Sequence, residues 1–355
     1  MRRIHTTMIH ERHHWLEKVQ VQLAGAAALA VTFFVIGPMH GWWDPQWPAT
    51  FLSTGSLLGL LQFAVVVWVL GAVCAAVTLS SRPEGALFAT LVGAAGISMH
   101  SAPIRVLLWS REDSISMVFV QLAIELLAMI VILIVAIHII CRVRAAMAKV
   151  FPKMMWKGRI LGTLDADGNP SHEPERAMRP GDSPSWLLWF ISPIGVPFLD
   201  QMRMSDSMSM VSAAQQARSR KAALLCTLYC LATTVLYSSI LLMLLMRSPS
   251  RGQIIFALFA SFLLATLIAH QQFATQFSVV SWGSALITGV VFYVLAIASS
   301  GQTGTNVWVS VQMFARALPV DWMTAGGAGG VLGYWISERI HELKHIERSE
   351  EKDSD

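Results

Sequence analysis

The sequence predicts an all-α, polytopic membrane bundle of about eight transmembrane helices, with both termini on the cytoplasmic side. Three observations lead there. Long apolar stretches recur along the chain, most of them near the roughly 20 residues that a ~30 Å hydrocarbon core demands. Hydrophobic residues make up 54% of the chain and charged residues only 14%, where a soluble domain carries roughly 25% charged residues. Lysine and arginine crowd onto alternate connections, which gives the bundle an orientation. The net charge of +4 therefore belongs to membrane flanks and does not point to nucleic acid.

The elements follow in order. A cytoplasmic segment, 1–18, carries Arg2, Arg3, Arg12 and Lys18 ahead of the first span, 19–38. This prefix resembles a secretory n-region, but it is long and no small-x-small site precedes Trp42-Trp43, so the span reads as retained. The loop 39–54 has no Lys or Arg and holds Trp42, Trp43 and Trp47, the composition of an outward interfacial belt. Spans 55–79, 85–108 and 115–141 complete a first membrane half, 19–141.

The connection 142–220 opens with Arg142, Arg144, Lys149, Lys153, Lys157 and Arg159, with no acid among them. Its 142–159 run suits anionic lipid head groups. Residues 163–185 are rich in Pro, Gly, Asp and Ser and read as irregular. Residues 186–199 are apolar but too short and too Pro-broken to span, and fit the membrane interface. A polar helix over 200–220 leads into the second half, 221–338, with spans 221–246, 252–272, 278–299 and 321–338. An acidic cytoplasmic tail, 339–355, still carries Arg339, Lys344, Arg348 and Lys352. With eight spans the three basic regions share one side. Arg105, Arg111, Arg247, Arg251 and Arg316 fall on the other side and weaken the asymmetry without reversing it.

Two patterns concern packing. The start of span three (SSRPEGALFATLVGAAGISMH) and of span six (RSPSRGQIIFALFASFLLATLIAH) both place Arg, Pro and Gly before Ala-Leu-Phe-Ala, then a histidine, His100 or His270. This suggests an inverted three-helix repeat of spans two to four and five to seven, an architecture that puts sites near the midplane. In the last span Ala325, Gly329 and Gly333 repeat every fourth residue, as do Gly326 and Gly330. Small residues so spaced let two backbones approach closely, either within the chain or across a homodimer. The four cysteines, Cys74, Cys141, Cys226 and Cys230, lie in or at the ends of spans and form no disulfide framework.

Candidate chemistry centres on Glu125, the only carboxylate well inside an expected span. A charged group there is costly and must face the interior, a cavity or a partner. With Gln121, His100 and Arg105 it makes an intramembrane polar site, either a relay or a static interhelical bond.

Histidines supply the rival. His10-Glu11-Arg12-His13-His14 and His341-Glu342-Leu343-Lys344-His345 both fit His-Glu-x-x-His. On a helix two imidazoles four apart can grip one metal while the glutamate acts as base. The first cluster also resembles one histidine box of the membrane di-iron hydroxylases and desaturases, a pattern that needs at least three boxes where only two fragments occur here. A joint zinc or iron site needs His14 and His341 within roughly 10 Å of each other. The plain alternative is two solvated juxtamembrane helices with Glu/Lys and Glu/Arg pairs.

No phosphate loop or nucleophile elbow is present. The expectation is therefore a multi-pass protein of the plasma or bacterial inner membrane, transporter-like or a membrane subunit of a larger complex, without a cofactor. The alternative is a metal-dependent membrane enzyme built on the terminal histidine clusters. The orientation is checked by single-cysteine labelling. A thiol placed by Ser171→Cys should stay silent to an impermeant reagent in intact cells, and reaction there would overturn the assignment.

Overall fold

The computed structural model describes residues 19–37, 50–52, 56–78, 83–110, 115–150, 213–273, 279–300, 313–338 and 340. These residues are helical apart from short connections, and no strand occurs among them. The helices are α1 (Val19–Ile36), α2 (Leu57–Val77), α3 (Pro83–Met99), the short α4 (Arg105–Ser110), α5 (Ile115–Val150), α6 (Ala213–Leu245), α7 (Arg251–Gln272), α8 (Val279–Ser300) and α9 (319–338). Six of them, α1, α2, α5, α6, α7 and α8, are long and apolar enough to cross a bilayer. The protein is an integral membrane protein with a multi-pass helical bundle.

The helices are apolar on both faces, and lipid explains why. On α2, Leu57, Leu61, Val65, Val69, Val73 and Val77 recur every fourth residue and are each more than half exposed. Leu60, Phe63, Ala64, Val67 and Cys74 on the other side are buried. A helix that is hydrophobic all round belongs in a membrane.

Two spans differ from the sequence expectation. The third, expected over 85–108, stops at Met99 after 17 residues. His100 and Ser101 turn back onto Ile97 and Ser98, and Pro103 follows before α4 begins. Proline removes a backbone donor and disfavours helix at the residue before it, so the apolar run is cut in two. The eighth begins slightly earlier, with Pro319 in its first turn, and carries a π-helical turn at Trp322–Gly326.

This last helix is the centre of the bundle. Every residue from 319 to 331 is buried. α9 packs on α3, α5, α7 and α8. Its glycines make the contact possible. A Cβ at Gly329 or Gly333 would overlap the carbonyl oxygens of Phe259 or Leu263 on α7, and one at Gly330 would overlap that of Ser281 on α8. At Gly326 it would lie 2.9 Å from Ala285 Cβ. The two small-residue stripes are thus filled by α7 and α8 of the same chain.

A second close approach joins α1 to α3. A Cβ at Gly93 would meet Ala28, and one at Gly96 would strike the Thr32 hydroxyl. Thr32 opens a π-helical turn, Thr32–Ile36, and its hydroxyl donates to the Gly93 carbonyl. Elsewhere α2 packs on both α3 and α5, and α6 packs on both α7 and α8. Spans two to four and five to seven share this order, in which the first helix of each trio touches the other two. The two trios meet along α5 and α8.

The glycine contacts yield a paired expectation. Gly330→Ala should destabilise by about 1–3 kcal/mol, the usual cost of overpacking. Gly252→Ala, with nothing within 4 Å of its added carbon, should stay within about 0.5 kcal/mol of wild type. Thermal unfolding in detergent checks both.

Candidate functional site

Glu125 sits ten residues into α5, which at ~1.5 Å per residue is near the middle of a ~30 Å core. It has no exposed surface. Its partners are backbone groups: Oε2 accepts from Phe51 N at 2.9 Å and Leu52 N at 3.1 Å. Residues 50–52 precede α2 and are not helical, yet Thr50 and Phe51 are buried. Phe51 lies 5.4 Å from the Phe63 ring, more than a turn inside α2. Ser56 N donates to Phe51 O at 2.8 Å, and the Ser56 hydroxyl caps α2 by accepting from Gly59 N at 3.0 Å.

The chain thus dips beside the start of α2 before the helix begins. Non-helical backbone at membrane depth is tolerated only when protein satisfies it, and Glu125 does so for two N–H groups. Below it, Trp68 Nε1 donates to Ile132 O at 3.0 Å and holds α2 against α5. The other carboxyl oxygen, Glu125 Oε1, is buried without a hydrogen-bond partner.

The side chains expected around Glu125 lie elsewhere. His100 Nε2 pairs with Phe33 O at 2.6 Å, its ring stacked on Phe33 with centroids 4.2 Å apart. The π turn in α1 presents that carbonyl. Gln121 is half-buried one turn before Glu125 and makes no hydrogen bond to it among the described residues. Arg105 opens α4, and its side chain lies outside the described residues. Backbone amides, which carry no side-chain signature, took the place of the expected polar partner.

A second polar cluster was not foreseen in the sequence. Arg251, the first residue of α7, grips Asp321 of α9 with both terminal nitrogens, Nη1 to Oδ2 and Nη2 to Oδ1, each at 2.7 Å. Nη2 also donates to Ser98 O at 2.8 Å and to the Ser98 hydroxyl at 3.0 Å. The Ser98 hydroxyl in turn donates to Asp321 Oδ1, and Leu318 N donates to Oδ2 at 2.8 Å. The cluster joins α3, α7 and α9 where α3 ends and the other two begin. A two-pronged guanidinium–carboxylate pair is among the strongest polar contacts.

Two signals could have found it. Pro319 with an acid two positions on marks a helix start. An Arg and an Asp at span ends on the same side invite pairing.

Tyr293 of α8 connects the two regions. It is fully buried, donates to Ala317 O at 2.6 Å, and its ring lies 6.2 Å from that of Phe119 on α5. The neighbouring Trp322 is fully buried.

His270 closes the opposite end of α7. Its Nδ1 pairs with the Ser337 hydroxyl at 2.8 Å, and Tyr334 meets its ring edge-on at 4.8 Å. His100 and His270 therefore each bond another helix, His100 to α1 and His270 to α9.

His10, Glu11, His14, His341, Glu342 and His345 lie outside the described residues. Among the described residues no three His, Cys, Asp or Glu side chains gather as a metal would need. The chain matches no protein-family model, no curated protein and no solved structure.

Removing the Glu125 carboxyl is the direct probe of this site. Glu125→Leu should destabilise by roughly 1–3 kcal/mol for each buried N–H it orphans. Glu125→Gln keeps an acceptor for both amides and should be nearly silent. Thermal melts of the two variants in the same detergent separate these outcomes.

Proposed function

We propose that this is a transporter-like membrane protein, in a closed conformation, whose coupling group is Glu125. The observation that carries this reading is the half-satisfied carboxyl itself. One oxygen anchors non-helical backbone near mid-membrane and the other, equally buried, has no partner. An ionisable residue at that depth is a functional candidate by default. Its surroundings add support. Glu125 lies on α5, one of the two helices along which the trios meet, and transporter sites favour such repeat interfaces and interrupted helices. π turns such as those in α1 and α9 occur frequently at functional sites. Charge asymmetry places the Ser98–Arg251–Asp321 end outward, at the plasma or bacterial inner membrane, with the basic run from Arg142 against anionic head groups.

The complete burial of Glu125 favours a second reading, a closed membrane subunit of a larger complex in which Glu125 only holds the 50–52 segment. Infrared spectroscopy decides without knowledge of a substrate. The difference between wild type and Glu125→Gln isolates the Glu125 carboxyl band in native membranes. Coupling predicts a band that follows bulk pH and shifts on transfer to heavy water. A band indifferent to both sinks the transport reading and leaves the subunit reading.

A further inference from the structure

We infer that Ser98, Arg251 and Asp321 form a releasable latch at the outer end of the bundle, and that its opening parts α3 from α7 and α9. The inference rests on the transport reading for its purpose, but its geometry stands alone.

The interfaces around α9 are unequal. Against α7 and α8 the contact is backbone on backbone, through Gly329, Gly330 and Gly333. No side chain can rotate aside there, so α7, α8 and α9 move as one body. Against α3 the contact runs through side chains. Leu91 meets the bare face of Gly327, at 3.2 Å from where its Cβ would stand, and Phe88 packs on Trp335 with ring centroids 5.8 Å apart. α3 and α7 touch only sparsely along their lengths. The latch bridges this adaptable interface at one end, with Ser98 on one side and the Arg251–Asp321 pair on the other.

The cluster is also built to let go. Breaking a buried ion pair is severe when a charge is left bare, but the Arg251–Asp321 pair joins α7 to α9 on one side of the opening and is not broken. When α3 parts, Arg251, 11% exposed at the bundle end, stays on Asp321 and exchanges its Ser98 contacts for water, while Asp321 keeps Arg251 and the Leu318 N–H and gives up only the Ser98 hydroxyl. Arg251 Nε already lacks a partner, so the guanidinium gains a hydrogen bond when it is hydrated. Behind the latch Tyr293 donates to Ala317 O, next to the Leu318 whose N–H holds Asp321, and its ring meets Phe119, less than two turns before Glu125 on α5. Release would give the outer side a route toward them.

Thiol accessibility tests this. Ala94 is buried one helical turn below Ser98 on the same face of α3. Ala94→Cys supplies the reporter, and Ala265→Cys, buried in α7, supplies the control. An impermeant maleimide is applied from outside to intact cells, and mass spectrometry locates the label. Asp321→Asn and Arg251→Lys should each raise labelling at position 94 roughly tenfold, about the factor that one charged hydrogen bond makes in an opening equilibrium. Position 265 should not change.

Unchanged labelling at 94 in variants that remain monodisperse overturns the latch. An equal rise at 94 and 265 overturns it too, because the cluster then only holds the fold together. If Asp321→Asn does not fold, Arg251→Lys decides, since it keeps the charge and loses the fork. A latch that opens beside a Glu125 band indifferent to pH would retain the latch and discard the coupling role.

Discussion

The bundle is organised by the closeness of α9 to α7 and α8. Lipid tails are as apolar as leucine, so membrane helices gain little from hiding hydrophobic surface from lipid and associate instead through tight packing. Gly329 and Gly333 bring α9 onto the α7 backbone, and Gly330 brings it onto α8. This draws a helix of modest length into the middle, with α3 and α5 closing around its remaining faces. Phe262 and Phe292 enclose the Trp322 ring beside these contacts. α1 and α6, by contrast, expose much of their length and form the lipid-facing margin.

Tight packing leaves no room for stray polarity, and the buried polar groups are disposed accordingly. Asp321 has both oxygens occupied twice, by Arg251 and Ser98 at one and by Arg251 and Leu318 at the other. Arg251, which argues against the expected orientation, is paired with Asp321 in the folded bundle. Glu125 is different. Oε2 makes two hydrogen bonds and Oε1 none. Buried polar atoms in native proteins are overwhelmingly paired, and an exception calls for an explanation. A fully satisfied carboxylate and a half-satisfied one thus stand in the same bundle.

What the sequence made legible followed from length and composition. The apolar runs marked the spans because the bilayer fixes how long a span must be, and the glycine spacing marked α9 for close packing. Glu125 is buried, as the cost of a carboxyl in hydrocarbon requires. Its partners were illegible because the amides of Phe51 and Leu52 are present in every residue, and only the dip of the chain singles them out. The Arg251–Asp321 pair escaped because each residue sits at a span boundary, where charge is ordinary. The interruption after α3 was masked by hydropathy, since Ala102, Pro103 and Ile104 sustain the apolar run while the proline ends the helix.

The central position of α9 also orders the biogenesis of the molecule. A membrane protein is inserted from its N-terminal end, so α3, α7 and α8 are in place before α9 emerges. During that interval Arg251 has no Asp321, and the carbonyls of Phe259, Ser281 and Leu263 face an unfilled groove in which no glycine backbone yet lies. Until α9 docks, the close-packing faces of α7 and α8 lack the glycine helix that fills them. Arrival of α9 closes the groove and supplies the counter-charge in one step, so the glycine helix works as a keystone whose docking distinguishes a finished molecule from an unfinished one.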